Sequence, residues 1–488
     1  MTVKQYDMIE FSVGNAPLCA EFRLGEKCVR AESFLKAKGD YAVRFMPDAL
    51  GEWRYRIGEK EGSFGCVPDE GVHGRVQEKG THFCYEDGTP FYPFGTTCYA
   101  WTSQEDALVE ETIFTLKTAP FNKIRMCIFP KHMPYNHNEP PYFPFEKDEK
   151  GEWDMEKPDF RYWDRLDRCL SALREMNIEA DIILFHPYDR WGFSRLGMEK
   201  NLQYLRYAVA RLSAYRNVWW SLANEYEMVT ALSLDDWDTI GRFIAEKDAY
   251  HHLIGVHDWV CPFPKKKWLT HASIQSGEVR RVAAWKKEYG IPVIIDEFGY
   301  EGDLPFGWGN LSAFEFMNRA WSIAAVGGYA THGETFHRED EVLWWAKGGK
   351  LYGKAPERFA YLKSVIEEVG ALEPVSALPQ DPNGNDGNDW VRKLVERFPA
   401  REQWQVELCF AEFYGRNEGH RILYLGRQCA CYFELALPEK GEYRVEVIDI
   451  WEMTRRTVLK AAHGKVRIEL PAKEGIALLV TRLSGENL

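Results

Sequence analysis

The sequence has neither an excess of positive charge nor a long apolar run. Its 488 residues include 61 Lys and Arg against 74 Asp and Glu, which gives a formal net charge of −13. An acidic chain repels phosphate backbones and anionic membrane surfaces. The sequence also contains no run of about 18 apolar residues, the length that a membrane-spanning helix needs. The first residues, MTVKQYDMIEF, also lack the apolar core of a signal peptide. We therefore expect a soluble, cytoplasmic protein with no nucleic-acid or membrane partner.

The cysteines lack the paired framework of a small secreted domain. Eleven are scattered along the chain, an odd number, and we interpret them as reduced thiols. The closest pair, Cys429 and Cys431, has no second pair to complete a zinc site, and His132 and His137 do not have metal-ligand spacing. We therefore expect no metal and no cofactor. An internal repeat of about 20–50 residues is also missing, which argues against a solenoid or a propeller.

What the chain does contain is three segments with different hydrophobic patterns. A single core stops growing at about 250–300 residues, so a chain of this length must be divided into domains. Residues 1–78 and 374–488 alternate short apolar strands with turn residues, which predicts a small β-sandwich at each end. Residues 79–373 instead alternate apolar strands with amphipathic helices, and the linker LPQDPNGNDGND follows that segment.

The central segment fits an α/β fold, the (β/α)8 or TIM barrel. Its length lies within the range of that fold, which typically has about 250 residues. Eight strand-like segments follow one another in the order FYPFGTT, NKIRMCIF, EADIILF, NVWWSLAN, HLIGVHD, WLTHAS, IPVIIDEF and GGYATHG. Active sites of such barrels are built at the C-terminal ends of the strands. Polar residues that end or follow these segments are therefore the candidate site residues.

Two glutamates stand out by this criterion. The fourth segment leads directly into Asn224 and Glu225, and the seventh ends with Glu297. Two carboxyl groups at one barrel mouth suit the cleavage of a glycosidic bond, in which one protonates the leaving oxygen and the other attacks or stabilises the sugar carbon. Alternatively, each glutamate caps the following helix or pairs with an arginine.

This pattern of Asn-Glu after the fourth strand and Glu at the end of the seventh resembles clan A glycoside hydrolases, retaining enzymes on a βα barrel. The resemblance implies that Glu225 is the acid/base and Glu297 the nucleophile. It also implies that Asn224 hydrogen-bonds the 2-hydroxyl of the sugar. Arg125, in the second strand, matches the family arginine that supports the nucleophile electrostatically.

Three histidines are further substrate-binding candidates. His186 matches a family histidine after the third strand, and His271 matches one after the sixth. His257 ends the fifth strand and is a candidate by position, as is its neighbour Asp258. The alternative for each histidine is a satisfied structural residue.

The sugar-binding surface departs from the family pattern at two strands. Many clan members have a tyrosine after the sixth strand where this chain has Ser273, and a tryptophan at the eighth strand where it has residues 331–334. Glu334 is then either a ligand for a substrate hydroxyl or a helix-cap residue. Aromatic rings that stack on sugars could instead come from other residues, with packing in the core as the alternative: Trp101, Tyr188, Trp191 and Trp308.

The three-part architecture resembles bacterial glycosidase-like proteins whose outer domains are of unknown function. Related barrels include enzymes that act on pentofuranosides such as apiosides. We therefore expect a retaining glycoside hydrolase that acts on short oligosaccharides or glycosides, with homo-oligomerisation left open. The alternatives are a transglycosylase that uses the same residues, a non-catalytic carbohydrate-binding barrel and a metal-dependent barrel hydrolase.

Overall fold

A computed structural model describes most of the chain, namely residues 1–375, 393, 396–409 and 413–488. The predicted linker at residues 378–389 lies outside the described residues. The chain folds into two compact units, which we describe separately. The first comprises residues 1–275 and 337–351, and the second comprises residues 276–336 and 352–488.

The N-terminal segment forms two β-sheets that share one apolar core. Phe22 from one sheet stacks on Phe45 from the other, with ring centroids 4.0 Å apart, and Trp53 packs against the same ring. The five-stranded sheet has the order Thr2–Lys4, Lys60–Val67, Gly51–Ile57, Cys19–Leu24 and Lys27–Glu32. The three-stranded sheet has the order Ile9–Gly14, Asp40–Phe45 and Phe34–Ala37.

The central segment contributes eight strands to one parallel sheet, and we label them in chain order. They are β1 (Gly95–Thr97), β2 (Lys123–Cys127), β3 (Glu179–Phe185), β4 (Val218–Ala223), β5 (Ile254–Gly255), β6 (Ala272–Gln275), β7 (Val293–Glu297) and β8 (Tyr329–His332). The sheet order is β5-β4-β3-β2-β1-β8-β7-β6. A parallel bridge between His257 and Ser273, just beyond β5 and within β6, brings the two ends together. The predicted (β/α)8 barrel is confirmed, and each predicted segment overlaps its strand.

The helices that separate these strands have apolar faces and, in several cases, side-chain caps. Asp159 caps α2, and a capping box of Ser233 and Asp236 starts α4. The helices are α1 (Asp106–Leu116), α2 (Phe160–Glu175), α3 (Met198–Leu212), α4 (Leu234–Lys247), α5 (Val282–Tyr289), α6 (Ala313–Ala325), α7 (Trp344–Lys347), α8 (Ala355–Val369) and α9 (Ala400–Cys409). Within the described ranges, none of the helices combines the length and the apolar character needed to cross a membrane.

Shorter strands decorate the barrel. A three-stranded sheet precedes β1, a hairpin lies in the long connection after β2, and a parallel pair follows β7 and β8. Their bounds are Val76–Lys79, His82–Tyr85 and Pro90–Phe91 for the sheet, Phe145–Lys147 and Trp153–Pro158 for the hairpin, and Glu301–Gly302 and Glu334–Thr335 for the pair.

Arg44 joins the N-terminal sandwich to the barrel helices of the same unit. Its side chain is 6% exposed and donates two hydrogen bonds to Asp167 of α2, at 2.7 and 2.6 Å. It also donates to Glu10 at 2.9 Å, and to the backbone carbonyl of Arg211 in α3 at 2.9 Å. A buried charge is stable only when it is paired in this way, so the sandwich and the helices share one ionic network.

The C-terminal segment is a second sandwich. Its six-stranded sheet has the order Glu373–Pro374, Phe413–Arg416, His420–Tyr424, Ile476–Gly485, Gly441–Asp449 and Thr454–Ala462. A two-stranded sheet of Tyr432–Ala436 and Lys465–Glu469 packs on it. Leu435 and Ile468 of the small sheet share one core with Val445 and Leu478 of the large one.

Candidate active site

Glu225 is the second residue after β4 and has a strained backbone conformation. Its φ of 53° and ψ of 62° are left-handed, a region that costs a non-glycine residue about 1–3 kcal/mol. His257 holds this turn, since its carbonyl accepts from the backbone of Tyr226 at 3.0 Å and its Nδ1 accepts from the backbone of Glu225 at 3.4 Å. Strain of this kind persists where the surroundings enforce it, which is common at functional sites.

Two side chains contact the carboxyl group of Glu225. The hydroxyl of Tyr188 donates to Oε2. The side-chain amide of Gln275, the last residue of β6, can place its nitrogen 3.1 Å from Oε1 and 3.3 Å from the carbonyl of Asp258. Both oxygens of a buried carboxyl group therefore have a partner.

Asn224 is oriented by two donors. Its Oδ1 accepts from the hydroxyl of Tyr99 at 2.9 Å and from Nη2 of Arg125 at 3.3 Å. Arg125 is fully buried in β2, and its Nε lies 3.9 Å from Oδ2 of Asp181. With its oxygen engaged by these donors, Asn224 presents its amide nitrogen as a donor for another group.

Lys131 adds a buried positive charge to the same region. Its Nζ lies 3.2 Å from the ring centroid of Tyr99 and 4.3 Å from that of Tyr188. Such contacts are favourable cation–π interactions. Because Tyr188 is engaged by Lys131 at its ring and by Glu225 at its hydroxyl, the structure supports a positioning role better than the predicted stacking on a sugar.

Asp258 is a buried carboxyl group next to His257. Its Oδ1 accepts from the backbone of Gln275 at 2.9 Å. Its Oδ2 is buried and has no hydrogen-bond partner among the residues that the structure describes. Burial raises the pKa of Asp258 to about 7, so its protonated form is well populated at neutral pH. This carboxyl group thus supports the Gln275 backbone beside Glu225.

His186 directly follows β3, as predicted. Its Nε2 lies 3.1 Å from the carbonyl oxygen of Phe129, and its Nδ1 is buried with no partner within the described residues. Burial, together with the nearby charge of Lys131, lowers the pKa of His186 to about 4. The imidazole is therefore neutral at physiological pH and donates from Nε2 to the carbonyl.

The predicted position of His271 after the sixth strand was wrong. His271 precedes β6, and its ring packs against Trp219 and Phe83 at centroid distances of 5.5 and 5.9 Å. Trp219 is the second residue of β4, so this cluster lies at the N-terminal ends of the strands. The end opposite the candidate site is where structural residues collect, and Gln275 occupies the C-terminal end of β6 instead.

Two aromatic candidates of the first unit have other roles. Trp101 is 0% exposed, which favours the alternative of packing in the core over stacking on a sugar. Trp191 donates from its indole nitrogen to Oε2 of Glu139 at 2.8 Å. The ring of Trp191 is partly exposed and packs edge-on against His132.

In the second unit, Glu297 is the last residue of β7, as predicted. Its side chain is 9% exposed, and its backbone carbonyl accepts from the backbone of Ser276 at 2.8 Å. The preceding residue, Asp296, is fully buried and accepts from the hydroxyl of Thr331 in β8 at 2.6 Å. Successive residues of a strand point to opposite faces of the sheet, so the side chains of Asp296 and Glu297 lie in different surroundings.

Trp308 lies in the loop after β7 and is partly exposed. It stacks on Phe306, with the two rings 5.4 Å apart and nearly parallel, and it packs edge-on against Tyr300. Phe306 is itself 38% exposed. This pair gives the second unit a partly exposed aromatic surface at the loop after β7.

The side chain of Glu334 contacts the start of a helix, which favours the helix-cap alternative over a ligand for a substrate hydroxyl. Its two carboxylate oxygens accept from the backbone of Tyr352 at 2.7 Å and of Gly353 at 2.9 Å, just before α8. Glu301 does the same for Lys354 and Ala355, at 2.8 and 3.0 Å. Burial and the neighbouring Glu301 raise the pKa of Glu334 to about 7.

One group in the described part of the chain could offer ligands to a metal ion. It consists of Glu301, His332 and Glu334, whose ligand atoms lie within 4.8 Å of one another. Since every carboxylate oxygen of the two glutamates already accepts a backbone N–H at the start of α8, their placement is accounted for by the helix.

Sequence reasoning missed three residues of the first unit that surround Asn224 and Glu225. These are Tyr99, Lys131 and Gln275. Tyr99 follows β1 by two residues and Gln275 ends β6, so a search for polar residues at every strand end could have found both. Lys131 lies in the long connection after β2, where no strand-end criterion applies.

Family models match all three segments of the chain. A model described as "Apiosidase-like, catalytic domain" matches residues 77–371. Two models described as domains of unknown function, DUF5060 and DUF5605, match residues 3–60 and 398–481. No protein of curated function matches the chain.

Solved structures show the same architecture. A protein from Bacteroides vulgatus, described provisionally as a glycoside hydrolase, is 32% identical, with 99% of this chain and 100% of that chain covered and a TM-score of 0.86. A glycoside hydrolase of family 5 from the same organism is 14% identical over 85% of this chain and 94% of that one, with a TM-score of 0.64. A further structure described as a glycoside hydrolase is 14% identical over 85% and 98%, with a TM-score of 0.61. At 14% identity, the last two likenesses show the fold.

Proposed function

Because this chain belongs to the apiosidase-like family and is a glycosidase, as predicted, we propose that it hydrolyses O-glycosidic bonds with retention of configuration. Glu225 is the acid/base and Glu297 the nucleophile of this proposal. The observation that carries it is the arrangement of Asn224 and Glu225 after β4, with each side chain oriented by hydrogen-bond donors. Glu297 at the end of β7 is the second carboxyl group at a strand end of the same barrel.

In the first step, Glu225 gives its proton to the leaving oxygen while a carboxylate oxygen of Glu297 attacks the anomeric carbon. The glycosidic bond breaks, and a covalent glycosyl-enzyme and a free alcohol form. In the second step, Glu225 takes a proton from water, whose oxygen attacks the anomeric carbon and releases Glu297. Asn224 donates from its amide nitrogen to the 2-hydroxyl of the sugar.

Gln275 suits an acid/base because its amide can serve both protonation states of Glu225. An amide nitrogen turned toward Oε1 donates to the carboxylate, and an amide oxygen turned toward it accepts from the carboxylic acid. Tyr188 keeps Oε2 in place in both states, since its hydroxyl is both a donor and an acceptor. Glu225 can therefore gain and lose its proton without moving.

The substrate class of the proposal is a short oligosaccharide or a glycoside, and a pentofuranoside such as an apioside is its leading form. The description of the family model supports the pentofuranoside. The aromatic pair of Phe306 and Trp308 offers an exposed surface for a sugar ring. Three of the predicted substrate-binding residues are proposed to support the site indirectly. Arg125 acts through Asn224, and His186 acts through the carbonyl of Phe129. His257 acts through the backbone of Glu225.

A panel of aryl glycosides tests the proposal. We expect one glycoside, a pentofuranoside in the leading case, to be hydrolysed by the wild type and not by Glu297→Ala. Proton NMR of the first sugar released would show the anomeric configuration of the substrate. Azide should restore turnover to Glu297→Ala with the opposite configuration in the product, because azide replaces the missing nucleophile. Glu339→Ala, at an exposed position, is the control.

Other results would redirect the proposal. Inverted sugar from the wild type would overturn retention, and glycosyl transfer to added alcohol in place of water would indicate a transglycosylase. Saturable oligosaccharide binding without any cleavage would indicate a non-catalytic carbohydrate-binding barrel. Activity lost on treatment with a chelator and restored by a metal ion would favour a metal-dependent hydrolase.

We place the protein in the cytoplasm. The ten cysteines whose side chains the structure describes are free, and five of them, Cys66, Cys84, Cys98, Cys127 and Cys169, are buried. Unpaired thiols in this number suit a reducing compartment. Cell fractionation tests this location, and light scattering of the purified protein tests for homo-oligomers.

A further inference from the structure

Lys131 lies between two tyrosine rings of the first unit. Its side chain is 1% exposed, and its Nζ is 3.2 Å from the ring centroid of Tyr99 and 4.3 Å from that of Tyr188. Tyr99 lies in the connection after β1, Lys131 in the connection after β2 and Tyr188 in the connection after β3. Since β2 lies between β1 and β3 in the sheet, the lysine comes from the middle strand and the two rings come from the strands on either side.

The backbone around Lys131 is hydrogen-bonded to neighbouring segments. The N–H of His132 donates to the carbonyl of Tyr188 at 2.9 Å, and the side-chain amide of Asn136 donates to the carbonyl of Lys131. Asn136 is buried, and its Oδ1 accepts from the side-chain amide of Gln104 at 3.1 Å. These bonds fix the point from which the lysine side chain reaches the two rings.

The hydroxyl groups of the same two tyrosines contact the two residues that follow β4. Tyr99 donates to Oδ1 of Asn224 at 2.9 Å, and Tyr188 donates to Oε2 of Glu225. A cation over the face of a phenol ring attracts its electron density, which makes the hydroxyl a stronger donor. One ammonium group can therefore strengthen both hydrogen bonds at once.

We propose that, within the hydrolysis proposed above, Lys131 is a positioning residue that acts through Tyr99 and Tyr188 on Asn224 and Glu225 together. The proposal rests on Glu225 being the acid/base of that reaction. When Glu225 gives its proton to the leaving oxygen, negative charge forms on its carboxyl group. Tyr188 remains a donor to that group, and the ammonium group over the ring of Tyr188 offsets the new charge in a buried site.

Lys131→Met tests this role, because methionine keeps much of the length of the side chain and removes its charge. It should lower kcat/KM on glycosides with poor leaving groups by roughly ten- to a hundredfold, mainly through kcat, because two cation–π contacts are lost. Lys131→Arg should keep most of the activity, since a guanidinium also carries a charge and stacks on aromatic faces. A role in packing alone predicts the reverse order, with the larger arginine more harmful than methionine.

A double-mutant cycle shows whether Lys131 acts through the tyrosines. Lys131→Met should reduce kcat/KM less in a Tyr188→Phe or a Tyr99→Phe background than in the wild type, by roughly twofold or more, because the hydroxyl that the cation strengthens is already missing. An unchanged effect in both backgrounds would show that Lys131 acts by another contact, and it would overturn the proposal.

The control is Lys60→Met, which removes the same charge at an exposed position of the N-terminal sandwich and should react like the wild type. The unfolding temperature and the near-ultraviolet circular dichroism of Lys131→Met show whether it is folded, and Lys131→Gln replaces it in the cycle if it is not. Equal kinetics for a folded Lys131→Met and an active wild type would overturn this proposal alone. A wild type that hydrolyses no glycoside would overturn the proposed function as well.

Discussion

The hydroxyl of Tyr188 donates a hydrogen bond to Oε2 of Glu225, and Lys131 covers the ring of the same tyrosine. Tyr188 thus fixes the acid/base of the proposed reaction, and Lys131 in turn fixes Tyr188. An aromatic residue that sequence reasoning assigned to sugar stacking instead fixes the position of a carboxyl group.

Tyr188→Phe should lower kcat/KM by roughly ten- to a hundredfold, because a hydrogen bond to a charged partner is lost while the ring is kept. The loss should be larger for glycosides with poor leaving groups, which need the proton of Glu225, than for activated aryl glycosides. Steady-state kinetics on both substrate types measures it. Tyr41→Phe, in the N-terminal sandwich, is the matched control. Equal kinetics for Tyr188→Phe and the wild type would remove Tyr188 from the mechanism.

The left-handed backbone of Glu225 predicts a difference between two inactive variants. Glu225→Gly should be more stable than Glu225→Ala by about 1 kcal/mol, because at a φ of 53° the Cβ atom of alanine is strained and glycine has no Cβ atom. Both variants lose the carboxyl group, so the comparison isolates the backbone. Urea unfolding measures the free energies, and an alanine variant at least as stable as the glycine variant would contradict the strain.

Glu334→Ala should destabilise the fold without changing the affinity for substrate. The backbone N–H groups of Tyr352 and Gly353 would lose their acceptors before α8, at a cost of about 2 kcal/mol or more. Urea unfolding and KM are the two measurements, with Glu339→Ala as an exposed control. A raised KM at unchanged stability would instead make Glu334 a substrate ligand.

The stability of the fold should fall as the pH rises because of Glu179. Burial raises its pKa from 4.5 to about 8, so the folded state favours the protonated form. The stabilisation of the folded state by this carboxyl group is fully present below about pH 4.5 and is lost as the pH rises through about 8. Glu179→Gln keeps an acceptor for Trp219 and removes the titration. Between about pH 5 and 8 the wild type should lose on the order of 3 kcal/mol more than Glu179→Gln. Equal pH profiles would contradict this.

Much of the fold could be predicted because hydrophobic patterns report burial directly. β2, β3 and β4 are buried along their whole length, and their sequences are correspondingly apolar or form internal ion pairs. The end of each strand is then visible as a change to polar residues. Asn224 and Glu225 were found in this way, and the local structure places them directly after β4.

Residues whose roles depend on distant partners could not be predicted. β6 has only four residues, so the pattern of WLTHAS did not reveal that the strand starts after His271. The role of Glu334 depends on backbone N–H groups at Tyr352 and Gly353, which the sequence does not associate with it. Tyr188 similarly meets Glu225 across 37 positions of the chain, through the packing of β3 beside β4.

The bond of Arg44 to Asp167 bears on modularity. The hydrophobic pattern changes near residue 78, which suggests a domain boundary at which the sandwich could be exchanged for that of a relative. Yet Arg44 shares Asp167 with Arg211, so a foreign sandwich without this arginine would leave a partly buried carboxylate with only part of its ion pairs. A chimera would therefore need to carry Arg44 and Asp167 as a pair. The boundary that the sequence pattern suggests thus does not separate two independent parts of the folded unit.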